Sequence, residues 1–160
     1  METTVTAIQA IQAILAPAVG ISAVGLLLLG LNNRYSLIIS RIRLLNEEKR
    51  KFAHRLVEKS ELTFTENTRF MSIRQQSEEL FQRSRLVRNA ILSLQTSIGL
   101  FVLTSVMIGT SLFVAKEAFR LVPLILFMLG MIAVFVGIVF AASEVYRAYH
   151  VVLLEMRAEE

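Results

Sequence analysis

The chain has 160 residues and a formal charge of +4, is 54% hydrophobic, and contains no cysteine, aspartate or tryptophan. Without cysteine there is neither a disulfide nor a thiolate metal site. With two histidines, His54 and His150, a metal or acid–base centre would have to be built from few parts.

The apolar residues are gathered in blocks, which one globular domain of this length would not do. After a short polar start, Ala7 to Leu31 carries no charged residue. At 1.5 Å per residue that is enough helix to cross the ~30 Å hydrocarbon layer of a bilayer. A cleaved signal peptide is disfavoured, because no basic segment precedes the block and the block is too long. Pro17 removes a backbone donor and is expected to kink or restart the helix. Ala16 and Gly20 form a small-xxx-small pair, and Gly25 and Gly30 thin the helix further along. Such positions let a second helix approach, although glycine is also ordinary in membrane helices. Asn32, Asn33, Arg34 and Tyr35 then suit the headgroup layer. No glycine or proline lies between Leu31 and Arg88, so the helix is expected to run on.

Residues 34–88 hold thirteen basic residues against seven glutamates, a net of +6. Ile38, Ile42, Leu45, Phe52 and Leu56 recur at alternating spacings of four and three, interrupted by Lys49, which makes a heptad seam. Phe70, Ile73, Ser77, Leu80, Ser84, Val87 and Ile91 repeat the spacing, so the two runs are natural partners in a helical hairpin. The tip is expected within Lys59 to Glu66, with Thr65 or Thr68 as N-cap of the returning helix.

Asn89 to Ala115 is the second uncharged block. Its hydroxyls at Ser93, Ser97, Thr104 and Ser111 are spaced by four, seven and seven and share one face. Three readings stand for them: bonds back to their own helix, a helix–helix contact, or a weakly polar pore lining in an oligomer. Lys116 to Leu121 makes a short turn, and Pro123 is expected in the first turn of the third helix. That span runs from about Leu121 to Ala142, with Ala133, Gly137 and Ala141 at intervals of four as the best line for a tight crossing. Beyond Ala142 the chain becomes charged and amphipathic. Val145, Tyr149, Val152 and Met156 form a stripe able to pack on the hairpin or on a neighbouring subunit.

The arginines set an expected orientation. Loops rich in Lys and Arg stay on the cytoplasmic side, which puts the amino terminus outside and residues 34–88 and the carboxyl tail inside. Phosphate loops, HExxH and nucleophile elbows are absent. Glu47, Glu48 and His54 do not make a convincing cluster, since Lys51 and Arg55 flank the histidine. No catalytic, cofactor-binding or metal-binding residue is therefore assigned. No ionisable residue lies within the spans, which weighs against proton-coupled transport. Arg34, Arg41 and Arg43 at one end of the hairpin, and Arg83, Arg85 and Arg88 at the other, are candidate contacts to anionic lipid headgroups. Nucleic acid is not an expected partner, because acids are interleaved and no recognition motif is present.

The stretch from Ala10 to Arg50, with its APA around Pro17, NR at Asn33–Arg34 and RIR at Arg41–Arg43, resembles a family of bacterial membrane proteins catalogued as a domain of unknown function (DUF2721). The likeness implies a small multi-span inner-membrane protein and carries no activity or catalytic residue with it. The expected architecture is all-α. Residues 1–33 form the first span, 34–88 a cytoplasmic antiparallel hairpin, 89–143 the second and third spans, and 144–160 an amphipathic tail helix. Two functions fit this frame. One is a non-enzymatic scaffold that self-assembles through small-residue faces and the hairpin, binding lipid and, in this reading, a soluble cytoplasmic partner. The other is an oligomeric ion channel lined by the hydroxyls of the second span. An enzyme acting on lipid is a distant third class.

Overall fold

A computed structural model describes the backbone over residues 7–59, 64–111 and 118–158, and side chains over 11–55, 67–110 and 121–147. Every described residue is helical. The elements are α1 (Ala7–Lys59), α2 (Phe64–Ser111) and α3 (Ala118–Ala158). All three are long and apolar enough to cross a membrane, with candidate spans within Ile11–Arg55, Asn67–Thr110 and Leu121–Arg147.

The helices are continuous where the sequence removes reasons to stop. α1 passes through Asn32 and Asn33 without a break, as the missing Gly and Pro lead one to expect, and also through Pro17, which neither ends nor restarts it. A proline inside a helix costs the bond to the carbonyl four residues earlier and clashes with it. The flanking run of Ala, Ile and Leu carries the helix across this defect. α3 likewise continues past Ala142 into the charged tail. Two local expectations fail. α2 begins at Phe64, so Thr65 and Thr68 lie within the helix and neither stands at its N-cap position. α3 begins at Ala118, which puts Pro123 in its second turn instead of its first. The centre of the expected tip, residues 60–63, and residues 112–117, which hold the end of the second uncharged block and the start of the expected outer turn, lie outside the described residues, while residues 118–121 of that expected turn already belong to α3.

The chain divides into two compact units. The first takes Met1–Leu31 and Asn89–Ala141, and the second Asn32–Arg88 and Ala142–Glu160. In the first, Val24, Leu94 and Phe101 form the buried cluster, with Ile21, Leu28, Ile98, Phe127 and Val134 packed on it. The remaining apolar surface is open: Leu26, Val102, Ile132 and Phe135 are all largely exposed. A helix that is apolar all round needs an apolar surrounding, and lipid supplies it.

Glycines set how closely these helices meet. The Phe101 ring lies between two of them: a Cβ on Gly20 of α1 would come within 3.0 Å of the ring, and one on Gly130 of α3 within 2.6 Å. The ring also packs against Phe127 at 5.4 Å between centroids. A Cβ at Gly137 would meet Leu94 at 2.9 Å and the Ala90 carbonyl oxygen at 3.3 Å. One hydrogen bond ties the same pair of helices, the Ser93 hydroxyl donating to the Ala133 carbonyl at 2.7 Å. Gly25 differs, because a Cβ there meets nothing within 4 Å. Gly25→Ala should therefore leave stability unchanged or raise it by up to about 1 kcal/mol, the helix-propensity gain. Unfolding of the detergent-solubilised protein monitored by circular dichroism checks this, and a clear loss would reveal a neighbour outside the single chain.

In the second unit the buried positions are Ile38 and Leu45 of α1, and Ile73, Ser84 and Val87 of α2. All five belong to the heptad seams. Arg69 donates to Glu48 at 3.2 Å across the pair.

Candidate functional site

The second unit also buries a charge. Glu144 of α3 is 3% exposed, where a carboxylate is costly unless paired and hydrogen-bonded. It is both. Arg83 of α2 donates to Oε1 through Nε at 3.1 Å and through Nη2 at 2.8 Å. Arg34 of α1 places Nη1 3.5 Å from Oε2. Each carboxylate oxygen thus faces a different guanidinium, and all three helices meet at one acid. Arg34 lies as far before Glu48 in α1 as Arg83 lies after Arg69 in α2. The two contacts therefore mark one antiparallel register.

Charge and exposure are uneven in this cluster. The Glu144 side chain is 4% exposed, Arg83 31% and Arg34 57%. Arg83 is committed to the acid through two nitrogens, while Arg34 touches it with one and keeps most of its guanidinium open. Two cations against one anion leave a positive excess of one.

Of the arginines singled out as headgroup contacts, Arg34 and Arg83 are the pair that converges. Arg41, Arg43, Arg85 and Arg88 are exposed, and Arg85 lies over the Phe81 ring at 4.8 Å. Sequence periodicity singles out Val145 and not Glu144, on a tail stripe expected to pack on the hairpin or on a neighbouring subunit. Val145 is 48% exposed, and the inward position belongs to its neighbour Glu144. A signal was present, since Glu144 is the first acid after the third uncharged run and stands opposite a chain rich in arginine. The side chains of Tyr149, His150, Val152 and Met156 lie outside the described residues.

Of the four hydroxyls expected on one face of α2, the described three, Ser93, Ser97 and Thr104, point into their own protomer. Ser97 and Thr104 are buried and donate to Leu94 and Leu100 carbonyls in the same helix. Ser93 instead reaches α3, as given above. The Ser111 side chain lies outside the described residues. Among the small residues, Gly20 and Gly137 sit at close approaches and the Ala133 carbonyl takes the Ser93 bond. Ala16 and Gly25 are exposed, and Ala141 is half-buried. Gly130 was not on the line of small residues because it lies three residues before Ala133, off the four-residue interval of Ala133, Gly137 and Ala141.

An open cleft of about 280 Å³ in the first unit is lined by Ala13, Pro17, Thr104, Pro123 and Phe127 among others. It is apolar, and its one hydroxyl is already bonded to Leu100. Among the described residues no three His or Glu side chains gather as metal ligands.

No curated protein matches the chain, and no solved structure matches it. A family model does, over residues 14–154. Since the match covers all three helices and both charged and apolar units, the chain belongs to the family of proteins of unknown function DUF2721.

Proposed function

We propose that the protein is a non-enzymatic scaffold of the inner membrane that assembles as a homo-oligomer, its amino terminus outside and its charged unit in the cytoplasm. The orientation rests on the thirteen basic residues of 34–88, which would otherwise have to be translocated.

The observation that carries self-assembly is apolar surface in the charged unit. Leu37 and Leu44, one heptad apart on α1, are 66% and 58% exposed, and Met71 and Phe81 on α2 are 59% and 51% exposed. In a lipid-facing helix such exposure is ordinary. Leu37 lies at the depth of the headgroups, but Leu44, Met71 and Phe81 lie beyond it, where the surrounding is water and exposed large apolar side chains mark a contact surface. A second copy presents the same stripe, and heptad spacing suits helix-on-helix packing. Leu44→Glu is expected to reduce the mass of the detergent-solubilised protein, measured by light scattering, from several chains to one. A monomeric wild type would sink the proposal.

Ion conduction through an oligomer axis is the weaker reading. Its lining was to be Ser93, Ser97, Thr104 and Ser111, yet Ser97 and Thr104 are buried within one chain and bonded to their own helix. Ion flux through reconstituted vesicles is the test, and the scaffold reading expects none.

A further inference from the structure

We propose that Glu144, Arg34 and Arg83 form a binding site for the phosphate of one membrane lipid, in which Glu144 holds the two guanidiniums together and Arg34 makes the contact. The inference rests on membrane immersion of the three uncharged runs and is independent of self-assembly.

Depth is the first argument. Arg34 is the first charge after the uncharged run of α1, and Glu144 is the first charge after that of α3. Arg83 precedes the uncharged run of α2 by fewer than two turns. At 1.5 Å per residue all three lie within about 10 Å of the apolar boundary, the layer that lipid phosphates occupy. Charge is the second. Two guanidiniums brought to a single carboxylate would repel each other without it, and together the three groups carry one uncompensated positive charge, matching one phosphodiester. Availability is the third. Both oxygens of Glu144 are engaged, Arg83 is turned onto it, and Arg34 at 57% side-chain exposure retains free N–H donors. Guanidinium donors in a fixed fork fit phosphate oxygens better than an ammonium does. Glu144 is a positioning residue in this arrangement, since it touches the arginines and not the lipid.

A lipid is favoured over a soluble anion because the membrane surface presents phosphates at high local density at this depth.

The test is titration of the delipidated, detergent-solubilised full chain with short-chain phosphatidylglycerol, phosphatidylcholine or inorganic phosphate, read by native mass spectrometry. Wild type is expected to take up one phosphatidylglycerol per chain ahead of any further lipid. Arg34→Gln should weaken that first binding roughly ten-fold, the loss of a charge-assisted contact. Arg34→Lys should recover only part of it, and Arg74→Gln, an exposed arginine of the same unit, should leave it unchanged. Arg83 remains on Glu144 in Arg34→Gln, so the fold is retained, and an unchanged helical melting curve verifies that. Equal losses in Arg34→Gln and Arg74→Gln would show diffuse attraction and overturn the site. Inorganic phosphate binding as tightly as phosphatidylglycerol would assign it to a soluble anion and overturn the lipid. Because the readout is bound mass per chain, these results stand whether the wild type is monomeric or assembled.

Discussion

Replacing Arg83 with glutamine is expected to destabilise the protein by about 3 kcal/mol, the cost of leaving a buried carboxylate without its principal partner. In that variant Glu144, 4% exposed, keeps only the Arg34 contact at 3.5 Å. Arg34→Gln should cost less than about 1 kcal/mol, because Arg34 is more than half exposed and screened, as surface ion pairs are. Glu144→Gln falls between, at about 2 kcal/mol, since the two arginines it releases retain access to solvent. The double replacement Arg83→Met with Glu144→Met should recover most of the loss, because a buried ion pair exchanged for hydrocarbon is close to neutral while a broken one is not. Unfolding by a denaturing detergent, followed by circular dichroism, gives the order. Equal costs for Arg34→Gln and Arg83→Gln would mean that the asymmetry of the cluster has no energetic weight.

The second large effect is expected at Gly130. A methyl group there would stand 2.6 and 2.8 Å from two atoms of the Phe101 ring, closer than carbon atoms come, and a Cβ on Gly20, at the ring's other edge, would stand 3.0 Å from it. The ring also packs against Phe127 at 5.4 Å between centroids, and Gly130→Ala should cost about 2 kcal/mol through overpacking. Gly130→Ala combined with Phe101→Leu should restore part of that loss, since the smaller side chain vacates the ring's edge. In lipid the helices gain little from leaving water, so close packing carries most of their association. For that reason a single methyl can matter here more than the loss of a lipid-facing leucine. Double-mutant comparison in the same unfolding assay decides it. Purely additive costs would show that the two residues do not act through each other.

How far the sequence revealed this arrangement differs between features. The seam positions Ile38, Leu45, Ile73 and Val87 were legible because heptad periodicity is a local signal that burial in a helix pair follows directly. Continuity of α1 was legible from missing breakers. Pro17 does not restart α1, because the long apolar helix on either side outweighs the cost of one lost bond. The pairing of Glu144 was not legible, because its partner Arg83 stands 61 residues away, and its place as the first acid after the third uncharged run was the one local signal. Ser93, Ser97 and Thr104 of the α2 hydroxyl stripe lie on one face, but periodicity cannot tell a face turned into the protomer from one turned toward an oligomer axis. Phe101 has the same origin: a large ring becomes a packing centre only once Gly20 and Gly130 are brought to either side of it.

Immersion of the uncharged runs in lipid, and not of the charged unit, would put exposed residues of the two units in different surroundings. Leu26, Val102 and Ile132 in the first are 73%, 48% and 56% exposed, and Arg50 and Glu79 in the second are exposed and are not among the residues assigned to self-assembly. Packing within the chain therefore does not separate the two groups. The chain has no cysteine, so single cysteines at these five positions can be treated with a charged maleimide in opened native membranes. Cysteines replacing Arg50 and Glu79 should react readily and those replacing Leu26, Val102 and Ile132 only after detergent is added. Rapid labelling at all five positions without detergent would contradict the account.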